Sequence, residues 1–253
     1  MSSVTRIIWF DLKQELNPPV WIIVEWIVFA VQVSVYGALI SNLVTSMSDY
    51  LKFYAVGLAI MLTFEIGSHT GRHFVEHAHE GRLPYLLSLP IPRWKLFLAI
   101  ALQGGFELAL MLIVPLCALQ VIIGNLTLVS VFSAIGTLFW LGFGVSGLML
   151  ALSFIAFRSA DVYSAIVTAL STLIIRFSTV FYPLIFLPPS YAGVAILSPL
   201  TYGSDLVRLI LGFDPSILVD PGIAVSVLTA LAISTLGLGT LLLQRLVEGV
   251  KSG

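Results

Sequence analysis

Long apolar runs, separated by short polar or helix-breaking segments, dominate the pattern along the chain. Six runs are long enough, at about 20 residues, to cross a hydrocarbon core as helices. They are Val20–Ile40, Phe53–His69, Leu96–Ile123, Leu128–Ala156, Val162–Tyr182 and Ile223–Leu243. The runs lack the alternation over about ten residues that marks a membrane β-barrel strand. The pattern therefore predicts an all-α integral membrane protein with six transmembrane helices.

Two regions outside these runs predict shorter helices. Residues 1–19 place most of their apolar side chains near one side of a helix, which predicts an N-terminal interfacial helix on the inner membrane surface. The apolar region Leu184–Leu211 is interrupted by three prolines and by Asp205, so it is too broken to cross. It predicts short re-entrant outer helices before the last span.

The whole chain is therefore predicted to form one transmembrane domain, residues 1–253. In order, it comprises the interfacial helix (1–19), the first two spans (20–72), an inner loop (73–95), three further spans (96–182), the outer re-entrant region (183–220) and the last span with its tail (221–253).

Composition agrees with residence in lipid and excludes several classes of protein. Hydrophobic residues make up 58% of the chain and charged residues 10%, and the mean hydropathy is +1.05. A soluble domain has about a quarter charged residues. The 12 basic and 13 acidic residues leave a net charge of −1 with no basic patch, which excludes nucleic acid as a partner. One cysteine, Cys117, excludes a disulfide framework or a multi-thiolate metal site.

Lysine and arginine residues indicate the orientation, because cytoplasmic loops of membrane proteins carry an excess of them. With both termini inside, nine of the 12 basic residues fall in cytoplasmic segments, and only Lys52 and Arg208 fall outside. The inner set is Arg6, Lys13, Arg72, Arg82, Arg93, Lys95, Arg158, Arg245 and Lys251. We therefore predict a multi-pass protein of the cell membrane with both termini in the cytoplasm.

The inner loop of residues 73–95 concentrates charge and contains a short amphipathic stretch. Leu83, Leu86, Leu87 and Leu89 give this stretch one apolar face, and Pro90 ends it. A short helix of this kind, held beside the bilayer, can dock in the groove of a partner protein. The alternative is an interfacial loop that packs on its own helix ends, and periodicity favours the two equally.

Three segments far apart in the chain carry further patterns. Glu80–Leu96 reads EGRLPYLLSLPIPRWKL, Phe181–Pro188 reads FYPLIFLP, and Ser198–Arg208 reads SPLTYGSDLVR. In this order and spacing they resemble, respectively, the inner loop, the outer end of the fifth span and the NPLTY…D…R segment of ABC-2-type permeases. Those permeases are the membrane subunits of a class of ABC exporters.

Two departures from the family pattern matter. Pro84 and Tyr85 stand where the family has a polar-acidic pair, which affects the docking contacts of the loop. Ser198 replaces an Asn before Pro199, a milder change because both side chains can cap a helix.

The resemblance implies a transporter built from separate membrane and ATP-binding subunits. In that family the inner loop seats a coupling helix on a separate ATP-binding subunit, and a second permease copy or paralogue completes the exporter. The coupling residues it implies are Glu80, Gly81, Leu83, Leu86, Leu87, Pro90 and Arg93, and the outer re-entrant motif comprises Pro199, Leu200, Thr201, Tyr202, Asp205 and Arg208. The phosphate-binding pattern GxxxxGK[ST] is absent, so ATP and Mg²⁺ are expected at the partner, with no catalytic residue or cofactor in this chain.

Three ionisable residues fall near the middle of predicted spans: Glu65, Glu107 and Arg176. A charge at the bilayer centre is costly, so each should face protein or water and have a partner. Counting 1.5 Å per residue places Glu107 and Arg176 at similar depth, which predicts an ion pair between them. Glu25 lies about one turn inside its span and is expected to reach the inner interface.

The histidines are confined to one region. His69, His73 and His77 follow each other at intervals of four, so they share one face of a helix that extends from the second span. Such a face can bind a metal or respond to pH, but the HExxH pattern of zinc proteases is absent. A solvated polar helix end is the simplest interpretation, and no metal is predicted.

The alternatives to an exporter are an intramembrane protease and an ion-coupled secondary transporter. The fourth span contains Gly144-Val145-Ser146-Gly147, which resembles the GxSG motif of rhomboid proteases, but no histidine base follows His79 in the chain. Close helix packing explains its small residues, Gly136, Gly142, Gly144, Ser146 and Gly147. An ion-coupled secondary transporter should show internal repeats, and the chain shows none. The apolar spans favour a drug, lipid or glycan-like substrate over an inorganic ion.

Overall fold

A computed structural model describes residues 8–9, 13, 20–37, 39–40, 50–88, 90–124, 127–157, 159–182, 188–212 and 219–251. These residues are predominantly helical and contain no strand, which confirms the all-α prediction. The predicted interfacial helix lies outside the described residues, apart from Ile8, Trp9 and Lys13.

The helices with defined bounds follow one another in short steps along the described ranges. They are α1 (Val20–Val31), α2 (Tyr50–His79), α3 (Arg82–Ser88), α4 (Arg93–Met111), α5 (Ile113–Ile123), α6 (Leu128–Ile155), α7 (Ala160–Arg176), α8 (Pro189–Ala195), α9 (Pro199–Ile210) and α10 (Pro221–Lys251). A π-helical segment, Gln32–Gly37, continues α1.

Among the described residues, four helices are long and apolar enough to cross a membrane: α2, α4, α6 and α10 up to Arg245. This is consistent with a multi-pass membrane protein. The first and fifth predicted spans correspond to shorter helices, namely α1 with its π-helical continuation and α7, which has 17 residues. The count of six spans therefore stays a prediction.

Helix α6 lies at the centre of the bundle and packs against α2, α4 and α10. Its glycines make this possible: Gly142 faces Leu108 of α4, and Gly147 faces Thr235 of α10. A methyl group added at either glycine would collide with these side chains. The close-packing interpretation is thus confirmed at these positions, whereas Gly136 faces open space.

The bundle has two distinct ends. At one, which we call the α3 end, Phe74, Leu96, Phe154 and Leu243 join one buried apolar cluster. This cluster gathers the end of α2, the start of α4 and the ends of α6 and α10. The opposite end, which we call the α9 end, contains the start of α2, the end of α7, α9 and the start of α10.

Three predicted elements differ in detail from those observed. The helix of the predicted fifth span, Val162–Tyr182, ends at Arg176 and is followed by a non-helical stretch, residues 178–182. The third predicted span is interrupted at Leu112, next to Met111, whose carbonyl accepts the Trp26 Nε1–H at 2.9 Å. The broken region Leu184–Leu211 does form two short helices, α8 and α9, as predicted, and residues 183–187 lie outside the described ranges.

Candidate functional site

Helix α9 carries the residues of the predicted outer re-entrant motif and is buried almost throughout. Pro199 occupies its first turn, where its missing N–H costs nothing. Every residue from 200 to 208 is buried, including the acidic Asp205 and the basic Arg208. Leu200 and Tyr202 pack in the apolar core, whereas Thr201, Asp205 and Arg208 enter one polar network.

Arg208 is the centre of this network, although only 3% of its surface is exposed. Its Nη1 donates to the Thr179 carbonyl at 3.0 Å and its Nη2 to the Val180 carbonyl at 2.8 Å. The guanidinium carbon lies 3.5 Å from the centre of the Phe53 ring on α2. Arginine suits this position because its planar fork reaches two acceptors at once while its face stacks on an aromatic ring.

Asp205 supplies the opposite charge and joins two further elements. Its Oδ2 accepts the Val219 N–H at 3.2 Å, just before α10 begins. Its Oδ1 accepts the Thr179 hydroxyl at 3.4 Å and lies 3.9 Å from Nη1 of Arg208. A carboxylate 2% exposed in a protein interior needs such compensation. Asp205 therefore connects α9 to α10 and to the stretch after α7.

The stretch of residues 178–182 explains why so many side chains converge here. Non-helical backbone inside a membrane protein persists only where its polar groups find other partners. In addition to the two carbonyls bound by Arg208, the Phe181 carbonyl accepts the Tyr50 hydroxyl at 3.2 Å. The Thr179 N–H donates to Oγ1 of Thr201 at 3.3 Å. Side chains from α2 and α9 thus replace the helical hydrogen bonds that this stretch lacks.

The arrangement is a clamp that joins several helices. Its bonds connect α2, the end of α7, α9 and the residues just before α10. We refer to Tyr50, Phe53, residues 178–182, Thr201, Asp205 and Arg208 as the outer clamp.

Ser198 does not use its side chain to cap α9, although a serine can do so. Ser198 is the N-cap residue of α9, but its hydroxyl makes no capping bond. It donates instead to the Ile174 carbonyl in the last turn of α7 at 3.0 Å. A C-terminal carbonyl of a helix lacks an internal partner, so this bond ties α9 to α7.

The predicted coupling residues surround helix α3, between the long helices α2 and α4. Gly81 has φ of +80°, a conformation that glycine adopts without strain, and it turns the chain from α2 into α3. Leu86 and Leu87 are half-buried against the apolar cluster of the α3 end, whereas Tyr85 is 67% exposed. Glu80 and Pro90 are exposed, Arg93 is half-buried, and the side chain of Leu83 is outside the described set.

The loop is held against the bundle on its other side as well. His79 Nε2 lies 2.9 Å from the Phe157 carbonyl, and the two rings stack with centroids 5.8 Å apart. These contacts join the end of α2 to the end of α6, and α3 itself packs against α2 and, through Leu86 and Leu87, on the apolar cluster of the α3 end. The packing of Leu86 and Leu87 agrees with a loop that packs on its own helix ends, and docking to a partner stays a prediction.

The predicted Glu107–Arg176 pair is wrong. Glu107 is 7% exposed in the interior of α4, which packs against α6, α10 and α2. Arg176 is the exposed last residue of α7 and forms no ion pair among the described residues. The depth count assumed a helix that continued to Tyr182. Because α7 ends earlier, Arg176 lies at a helix C-terminus, where a cation is favourable in itself.

Glu65 lies elsewhere, in a cavity that also contains Glu25. The cavity has a volume of about 320 Å³ and lies between α1, the π-helical segment and α2. Sequence reasoning missed Glu25 because it assigned the residue to the inner interface by depth. A usable signal existed: Glu25 and Gln32 are seven residues apart, so they share one face of an otherwise apolar helix.

The three histidines occupy one face of α2, as predicted. The ring centroids of His69 and His73 are 6.1 Å apart, and those of His73 and His77 are 5.9 Å apart. Nowhere in the described part of the chain do three His, Cys, Asp or Glu side chains come together as a metal site requires. Ser146 of the GxSG motif is fully buried in α6, away from any surface that a substrate could reach.

No model of a known protein family matches the sequence, and no curated protein matches it. The resemblance to ABC-2-type permeases therefore depends only on the motifs of the chain itself. Two of these motifs lie in well-packed parts of the structure. Glu80–Leu96 includes helix α3, and Ser198–Arg208 contributes to the outer clamp.

Proposed function

We propose that this chain is the permease subunit of an ATP-binding cassette exporter of the ABC-2 type, driven by a separate ATP-binding subunit. In this proposal α1 with its π-helical segment and α7 are the first and fifth of six spans. At 1.5 Å per residue, their 18 and 17 residues extend over about 25 Å, close to the thickness of a hydrocarbon core. A second permease copy or a paralogue completes the passage for a drug, lipid or glycan-like substrate.

The observation that carries the proposal is the position of α3. A seven-residue helix lies between two long apolar helices, with Leu86 and Leu87 fixed to the bundle and Tyr85 pointing away from it. A short helix anchored in this way transmits a push from a partner to both neighbouring helices. An exposed aromatic side chain is the kind of residue that anchors a protein interface.

Charge supports the side on which that partner would act. Arg72, Arg93, Lys95 and Arg245 belong to the α3 end, because they lie at the ends of the helices that meet there. At the α9 end the basic residues among those described are fewer: Lys52 at the start of α2, Arg176 at the end of α7, and Arg208, which is buried inside the protein. An excess of basic residues favours the cytoplasmic side, so we assign the α3 end and the end of α10 to the cytoplasm.

This orientation gives a labelling prediction. In a Cys117→Ala background, Leu128→Cys at the start of α6 should react with a membrane-impermeant maleimide in intact cells, and Tyr85→Cys should react only in inside-out vesicles. Both positions are well exposed, at 74% and 67%, so neither result is limited by burial. Reaction of Tyr85→Cys in intact cells would reverse the topology and contradict the proposal.

Coupling to an ATPase gives a second prediction. The chain should co-purify with an ATP-binding subunit encoded beside it, and the complex should hydrolyse ATP. Tyr85→Glu should reduce the amount of bound ATPase about tenfold or more, because loss of an interface aromatic typically costs about 2 kcal/mol.

The matched control is Leu128→Glu, which places the same charge on an exposed residue at the opposite end of the bundle. It should leave ATPase binding unchanged, and size-exclusion chromatography should show both variants folded. If the purified chain alone moved substrate down an ion gradient, the secondary-transporter alternative would replace the proposal.

A further inference from the structure

The cavity beside α2 combines an apolar wall with two acidic side chains. Its volume is about 320 Å³, enough for an organic molecule of modest size. The lining residues with polar side chains are Glu25, Gln32, Glu65, Ser68 and His69. The apolar lining residues are Val28, Phe29, Leu58, Met61, Leu62, Ile66 and Met111.

The charge of the lining is one-sided. Glu25 comes from α1 and Glu65 from α2, and among the residues that the structure describes no lysine or arginine lines the cavity. His69 is the other titratable group of the lining, one turn along α2 from Glu65. Two carboxylates that share one cavity in a membrane protein repel each other, and either a proton or a nearby positive charge relieves that repulsion. The cavity is therefore suited to a cationic ligand.

The apolar part of the lining indicates what kind of cation would fit. Phe29 offers an aromatic ring, and Met61 and Met111 offer flexible, polarisable side chains that adapt to different shapes. A bare divalent metal ion prefers six or more oxygen ligands, more than two carboxylates, an amide and a hydroxyl supply conveniently. A zwitterionic lipid headgroup would bring its phosphate close to both carboxylates.

We propose that this cavity binds a monovalent amphipathic organic cation, with Glu25 and Glu65 facing its charge and the wall around Phe29 and Met61 receiving its apolar body. The adjacent π-helical segment begins at Gln32, itself a lining residue, and such segments recur at functional sites. The inference names a substrate class for the proposed exporter. Only the transport step rests on that function, since binding requires no other chain.

The test uses the purified full chain in nanodiscs and two probes of equal size and opposite charge. Equilibrium dialysis should show saturable binding of tetraphenylphosphonium, about one per chain above protein-free nanodiscs, and no saturable binding of tetraphenylborate. Equal binding of the two ions, or no saturable binding of the phosphonium, would overturn the proposal.

Charge-removing variants locate the site. Glu65→Gln and Glu25→Gln should each raise the dissociation constant for tetraphenylphosphonium about tenfold, the effect of one lost ion pair in a partly enclosed site. Glu76→Gln changes the same residue type on α2 but outside the cavity, and it should leave binding unchanged. Unchanged binding in both cavity variants would refute the site.

The two variants lie on different helices, so either one decides the result if the other fails to fold. Because the assay contains no ATPase, its failure leaves the co-purification prediction standing. Loss of ATPase binding, in turn, leaves cation binding in place. The two proposals can therefore fail separately.

Discussion

Replacing Arg208 with methionine is expected to lower the free energy of unfolding by about 3–5 kcal/mol, the range observed when one partner of a buried ion pair is removed. The loss leaves the Thr179 and Val180 carbonyls without their donors and Asp205 without a nearby cation. Unfolding in mixed detergent and SDS, followed by tryptophan fluorescence, measures the change. Arg208→Lys should retain only part of the stability, because an ammonium cannot reach both carbonyls in the geometry of the fork.

Arg176→Met is the matched control. It removes the same charged group from the last turn of α7, where the side chain is exposed and forms no ion pair among the described residues. Its effect should stay within about 0.5 kcal/mol, as is usual for surface positions. Similar losses for the two arginines would mean that the outer clamp contributes nothing specific to stability.

The contrast between these arginines shows what local patterns can predict. Hydropathy located the apolar runs, and the proline breaks indicated two short helices in the region where α8 and α9 lie. The bonds of Arg208 reach residues 28 and 29 positions earlier in the chain. Pairings over that distance depend on how helices pack, and periodicity within one helix carries no information about them. The sequence shows the motif that contains Arg208, but it does not show that residues 178–182 are the stretch to which this arginine binds.

Helix lengths show a second limit of prediction from hydropathy. The run Phe53–His69 marks the part of α2 that suits lipid, yet the helix extends from Tyr50 to His79. Hydropathy measures where a helix meets the bilayer, whereas the backbone continues as long as its residues accept helical geometry. In the predicted fifth span the apolar run is instead longer than the helix. The prediction therefore extended this span to Tyr182 and placed Arg176 at mid-membrane.

The cavity shows that depth alone does not assign a partner. Glu65 was expected to need compensation, and the count of residues suggested none for it. In the structure it shares a cavity with Glu25, whose depth had suggested an interfacial position. The packing of α1 against its neighbours determines which of its faces lies against the protein. Because α1 is apolar and only weakly amphipathic, its sequence does not predict that face.

Gly57→Ala is expected to destabilise the protein by about 1–3 kcal/mol, the usual effect of overfilling a packed interior. Gly57 lies on α2 directly against the carbonyl group of Val180, so an added methyl group would collide with backbone that cannot rotate away. The same SDS titration measures the loss. Gly136→Ala on α6, where the added methyl meets no atom, should instead stabilise by about 0.4–1 kcal/mol.

The double variant Gly57→Ala with Arg208→Met separates a shared cause from two independent ones. Both changes act on the Val180 carbonyl, one by displacing it and the other by removing its donor. Without Arg208 the Val180 carbonyl is no longer held by that hydrogen bond. The alanine methyl can therefore displace the carbonyl at a lower cost in free energy. The combined loss should therefore be smaller than the sum of the single losses by about 0.5 kcal/mol or more. Additive losses would mean that α2 and α9 hold residues 178–182 independently, and the outer clamp would not act as one unit.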